Sequence, residues 1–165
     1  MIRRILTTRF ASNLDYTRRL IDGMSEEHAN VLPADGMNSP RWIVGHLAQT
    51  ADMVTLGWVF EAERSIDSWD AWFNGGTTSA ALTAEQPSLA EAMVHLERLH
   101  ASVSERVEAS SPAWFEKSAP GIAPDAFRQR FPTIGNALAH TMLSHEMMHL
   151  GQLSAWRRVQ GLPAV

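Results

Sequence analysis

Apolar residues recur every three or four positions along four stretches of the chain, with polar and basic residues between them. This rhythm predicts four long amphipathic helices. In the first, from Ile2 to about Met24, the apolar positions are Ile2, Ile5, Leu6, Phe10, Leu14, Leu20 and Ile21. Gly23 weakens it, and Ser25-Glu-Glu-His28 reads as a short helical turn with serine as cap and acids near the positive helix end. Ser39-Pro40 is a strong start for the second, because serine caps free N–H groups and a proline in first place has no N–H to waste. That helix is predicted to run to about Glu63, with Ile43, Val44, Leu47, Ala51, Val54 and Trp58 as its apolar stripe.

The third opens on Ser88-Leu-Ala-Glu91, a capping-box pattern, and carries Leu89, Met93, Leu96, Leu99, Val103 and Val107 at helical intervals. Thr133 caps the fourth, which is expected to reach about Gln160 before Gly161 and Pro163 stop it. Two long connections remain. Residues 64–87 carry Trp69, Trp72 and Phe73 without a lasting period, and residues 110–132 hold four prolines and a glycine. No strand alternation stands out. The expectation is an all-α, single-domain chain spanning 1–165, a four-helix bundle in which facing side chains can build a metal site.

Composition narrows the function. With 165 residues, no cysteine and a formal charge of -4, the chain needs no disulfide and offers no thiol chemistry or cysteine-type zinc site. Basic residues are scattered, which gives no support to nucleic-acid binding. Neither a signal peptide nor an apolar run of about 18 residues is recognisable, so the expected setting is the cytoplasm, away from membranes.

The one place where spacing alone carries chemistry is His145-Glu146-Met147-Met148-His149. Two histidines four apart on a helix share a face and can grip one metal ion. At 100° per residue, Gln152 lies about 20° from His145 and shares that face, whereas His140 lies about 140° away and points elsewhere. The five residues match the HExxH pattern, in which glutamate is the general base of a zinc peptidase. The sixteen residues after His149 contain no His, Asp or Glu, so a third ligand must come from upstream. His28 sits in a surface turn, and His95 and His100 flank the stripe of the third helix. His46 is the best candidate, since it follows Gly45, which permits another helix to approach, although a histidine there also serves as a hydrogen-bonded core residue. Glu146 is the candidate catalytic base, with an interhelical or exposed carboxylate as the alternative. Met142, Met147 and Met148 are expected in the core. Trp69, Trp72 and Phe73 are expected to wall a substrate pocket or to be buried between subunits.

Gly45-His46-Leu47 soon after a helix start, with His145-Glu-Met-Met-His149-Leu-Gly-Gln152-Leu near the end, resembles the DinB/YfiT family of metal-dependent enzymes. The resemblance implies an up-down-down-up DinB-like bundle with His46, His145 and His149 on a divalent ion, nickel or zinc. It further implies a homodimer, and thiol-dependent S-transfer or isomerisation of a small molecule with a low-molecular-weight thiol such as mycothiol or bacillithiol. Gln152 matches and would orient a ligand through its amide. Leu150 departs from the basic residue common in the family. The functions weighed are a metal-dependent hydrolase or thiol S-transferase, a non-catalytic metal-binding or stress-associated module, and, third, a zinc peptidase.

Overall fold

The computed structural model describes residues 1–79, 83 and 85–165. The part of the expected aromatic loop at 80–82 and 84 lies outside the described residues. Among the described residues every regular element is helical, apart from one isolated bridge between Ser118 and Thr133. Helix α1 spans Ile2–Ile21 and α2 spans Glu26–Ala29. α3 covers Pro40–Thr50 and runs on without a break as a π-helical segment, Ala51–Val59. A 3-10 turn at Asp67–Trp69 leads into α4, Asp70–Phe73. α5 spans Leu89–Ala109, and α6 spans Asp125–Arg130. The last long element is composite: α7 at Ile134–Ala139, a π-helical segment at His140–His145, then α8 at Glu146–Val159.

The local signals in the sequence act as expected. Ser39 accepts the Trp42 N–H, Ser88 and Glu91 form the reciprocal capping box, and Thr133 accepts the Asn136 N–H. Each satisfies donors that the first turn of a helix leaves free. Gly161, at φ 73°, supplies the left-handed residue that ends the composite helix.

Packing closes the four long elements around one another. α1 lies against α5 and α8, and α3 also lies against α5 and α8. Leu6 and Phe10 of α1, Ile43 and Leu47 of α3, Leu96 and Val103 of α5, and Met142 and Leu150 of the last element are buried in one cluster. Each such side chain contributes about 1.5–3 kcal/mol of transfer free energy. Met147 and Met148 depart from the expectation, for both are about half exposed. Glu146, His149 and Leu150 take the inward-facing positions of that turn, which leaves the intervening pair to solvent.

Polar groups tie the connections down. Arg41, buried on α3, donates to the carbonyls of Thr83, Gln86 and Pro87. Arg64 bonds Asp52 in the π segment after α3 and, with two nitrogens, Asp70 at the start of α4. The connection at 64–73 is therefore fastened to α3 by charge-assisted hydrogen bonds. Its aromatic rings go inward: Phe73 is fully buried and Trp69 nearly so.

Candidate metal centre

His46 lies in the middle of α3, His145 closes the π segment and His149 sits one turn into α8. Each offers a ring nitrogen within 4.8 Å of the other two, the one such group of three among the described residues. The Nε2 atoms of His46 and His145 are 3.1 Å apart. Tetrahedral ligation at about 2.0–2.1 Å would space imidazole nitrogens by roughly 3.4 Å, so little rearrangement is needed to seat an ion.

Two of the three rings are held in the tautomer that ligation requires. His46 Nδ1–H donates to the Phe73 carbonyl at 2.6 Å, which leaves Nε2 with its lone pair toward the group. His149 Nδ1–H donates to Gln152 Oε1 at 3.2 Å, and that oxygen also accepts from Asn38 Nδ2 at 3.3 Å. Gln152 thus fixes the His149 ring without joining the group. The third ring is different: His145 Nδ1 is buried with no hydrogen-bond partner. With His46 Nε2 able only to accept, His145 Nε2–H donates across the 3.1 Å gap, and a bound ion would move that proton to Nδ1.

Burial keeps the rings neutral. It pulls His46 down to about 4, helped by the neighbouring His149 and opposed by the Phe73 carbonyl. His145 falls to about 3, again chiefly through burial, with His46, His149 and His140 adding repulsion. His149 is lowered by burial and partly restored by its bond to Gln152. Neutral imidazoles are what metal coordination requires, so the donor set fits a divalent ion.

Gly45 explains how the Phe73 carbonyl reaches His46. A Cβ at position 45 would lie 2.5 Å from the Phe73 ring, so glycine admits that ring against α3. The close approach expected at Gly45 is therefore made by a ring of the short α4 rather than by a long helix. Trp42, one turn before His46, stacks on its ring with centroids 4.6 Å apart and anchors its own N–H on Thr77. Its i, i+4 spacing from His46 was the available signal for that contact. Trp69 and Phe73 are buried in the core, Trp72 packs against it, and only the Phe73 carbonyl bonds His46; none of the three is in the lining of the cavity beside the group.

That cavity has a volume of about 390 Å³ and is lined by His46 and His145 together with Gln49, Thr50, Met53, Val54, Asn74, Gly75, Ala126, Phe127, Arg130, Phe131, Thr141 and His140. The presence of His140 corrects the expectation that it points away. In a π-helix the hydrogen bond joins residues five apart, which brings such residues nearer to one face than an α-helix does, and the His140 and His145 ring centroids lie 5.8 Å apart. His140 stacks on Phe131, and its pKa is lowered by burial and by the Arg130 guanidinium. A larger hollow of about 540 Å³, bordered by Phe60, Arg106, Trp114 and Lys117, contains none of the three histidines.

Glu146 is held on another side of the helix. Its Oε1 accepts from His100 Nε2 at 2.8 Å and its Oε2 from Asn13 Nδ2 at 3.0 Å. Asn13 Nδ2 also donates to the Met142 carbonyl inside the π segment. Burial pushes the Glu146 carboxyl upward in pKa, against the pull of His100 and Asn13. The carboxylate is engaged by α1 and α5, whereas the histidine group borders α3. His100 stacks flat on Phe10 at 3.6 Å, His95 packs on Trp69, and His28 meets the edge of Trp156.

A family model described as the DinB superfamily matches residues 9–153, a span that includes Asn13, His46, Glu146 and Gln152. No curated protein matches the chain.

Proposed function

The chain belongs to the DinB superfamily, and on that premise we propose that it is a divalent-metal-dependent enzyme acting on a small molecule, by hydrolysis or by transfer to a low-molecular-weight thiol. The observation that supports this most is the convergence of His46, His145 and His149, with His46 and His145 lining an open cavity. When bound, a divalent ion on three neutral imidazoles supplies Lewis acidity, which suits activation of a water or a thiol. Nickel and zinc both suit nitrogen ligands.

The remaining roles fall to side chains of the chain itself. The Phe73 carbonyl and Gln152 hold two of the rings in orientation. Phe127, Phe131, Met53 and Val54 give the cavity an apolar wall that limits water. His140, neutral at physiological pH and facing the same cavity, is placed to hold or pass a proton next to a substrate. A zinc-peptidase mechanism would need Glu146 as base at the ion, and its bonds to His100 and Asn13 speak against that. The up-down-down-up order of helices, a homodimer and a cytoplasmic setting belong to the same proposal. No helix among the described residues is long and apolar enough to cross a membrane.

The test uses untagged protein loaded with zinc or nickel and a chelated control. Each is assayed for ester hydrolysis and for consumption of a thiol in the presence of an electrophile. The enzyme reading predicts turnover that chelation abolishes and metal restores. Stoichiometric metal without turnover in either assay would favour a non-catalytic metal-binding module.

A further inference from the structure

We infer that the cavity beside His46 and His145 selects a small organic carboxylate with an apolar or aromatic body, and that Arg130 is the group that receives its charge. The assignment of this cavity as the substrate site rests on the metal-dependent reading above, whereas the preference for an anion rests on charge and packing alone.

Among the described residues the lining contains no aspartate or glutamate, and Arg130 is its one arginine or lysine. Two arginines stand in the last turn of α6, and their situations differ. Arg128 is paired with Asp125 one turn earlier. No carboxylate or hydrogen-bond acceptor engages Arg130 among the described residues, and its guanidinium lies 5.4 Å from the centre of the Phe131 ring. A guanidinium resting on an aromatic ring keeps its donors available, and its fork matches a carboxylate with two parallel hydrogen bonds. Arg130 is exposed on the cavity rim, so it meets an entering anion without first having to break an ion pair.

The rest of the lining defines what the anion is attached to. Phe127 and Phe131 come from the α6 side, and Met53 and Val54 from the π segment after α3. Phe131 is held in place by His140, whose ring stacks on it at 4.4 Å. Such walls take up an apolar or planar body, and about 390 Å³ suits a small molecule rather than a peptide segment. Arg130 and the His140 imidazole both rest on Phe131, and among the described residues of the lining none is acidic. A cationic ligand therefore finds no counter-charge, and a neutral one leaves Arg130 unused.

Phenylacetate and its uncharged isostere phenylacetamide separate charge from shape. Titration calorimetry on the full-length, metal-free protein should show phenylacetate binding about fivefold tighter or more, the size expected for one solvent-accessible charge-assisted contact. Arg130→Gln should erase the preference and Arg130→Lys retain part of it. Because the position is exposed at the end of a short helix, both variants should fold, which circular dichroism checks. Equal binding of acid and amide, a preference that survives Arg130→Gln, or no binding of either probe would overturn the inference. The metal reading fails separately. Protein that prefers phenylacetate but takes up no zinc would retain the anion site and lose the metal centre. Protein that takes up zinc without the preference would keep the metal centre and lose this inference.

Discussion

His46 and His145 stand 99 positions apart in the chain, yet their Nε2 atoms lie 3.1 Å from each other. The Phe73 carbonyl takes the only proton His46 carries when neutral, so His145 must be the donor in that contact. His145 alone of the three has no protein partner on Nδ1, and it is the ring free to change tautomer when an ion arrives.

Gly45 tests the support behind His46. Gly45→Ala would drive a methyl into the Phe73 ring and shift the carbonyl that orients His46. The expected cost is about 1–3 kcal/mol in chemical denaturation, the range for overpacking, together with weaker metal binding. Gly151→Ala is the control, since a Cβ there meets nothing within 4 Å. It should leave metal binding unchanged and stability equal or slightly higher, because alanine is the better helix former.

Gln152→Ala removes the acceptor that orients His149 and also frees Asn38. Metal affinity should fall about tenfold, at the lower end for such supporting contacts, with little change in unfolding free energy. Calorimetric titration with zinc or nickel reads the first and urea denaturation the second.

On the proposed reading His140, which faces the cavity, handles the proton, and Glu146, held by His100 and Asn13, serves the fold. Glu146→Gln should keep metal binding and metal-dependent turnover while losing about 1–3 kcal/mol of stability, because His100 and Asn13 lose their charged acceptor. His140→Phe should retain metal and fold but lower turnover by about a hundredfold, the smaller end for a proton-transfer group. Turnover abolished by Glu146→Gln with metal retained would return Glu146 to the reaction.

Acidity should affect the metal-free and metal-bound protein differently. His46 and His145 titrate at about 4 and about 3, and His149 is lowered too. In the unfolded chain each titrates near its ordinary value of about 6.5. Below that value the unfolded state binds more protons than the folded one. The stability of the metal-free protein is therefore insensitive to these groups above about pH 6.5 and falls as pH drops from there toward 4. The same shifts keep His46 and His145 unprotonated at pH 6.0 and leave His149 less protonated than a free imidazole, so zinc affinity there should stay within about threefold of its value at pH 7.5. Three imidazoles titrating at 6.5 would lose roughly fiftyfold over that interval, and a loss of that size would show the rings to be less buried than the structure has them.

Much of the fold was legible because it depends on local chemistry. Ser39-Pro40, Ser88 with Glu91, and Thr133 mark helix starts through hydrogen bonds spanning three residues, and the apolar stripes mark the inward faces. The pair His145 and His149 was legible for the same reason, since four residues make one turn. His140 was misplaced because 100° per residue holds for an α-helix, and nothing in the apolar rhythm signals that the chain widens to a π-helix at His140–His145. The partners of Glu146 lie on α1 and α5, far away in sequence, so its spacing from the histidines carried no information about them. Nor did the loop composition reveal that Phe73 would face Gly45 or that its carbonyl would hold His46. That depends on a ring meeting a missing side chain across 28 positions.

Whether three histidines share one ion is read directly by X-ray absorption at the metal edge of zinc-loaded protein. We expect one zinc per chain with three imidazole nitrogens at about 2.0–2.1 Å, falling to two in His46→Ala. A protein that holds no stoichiometric metal, or whose imidazole count is unchanged in His46→Ala, would contradict it.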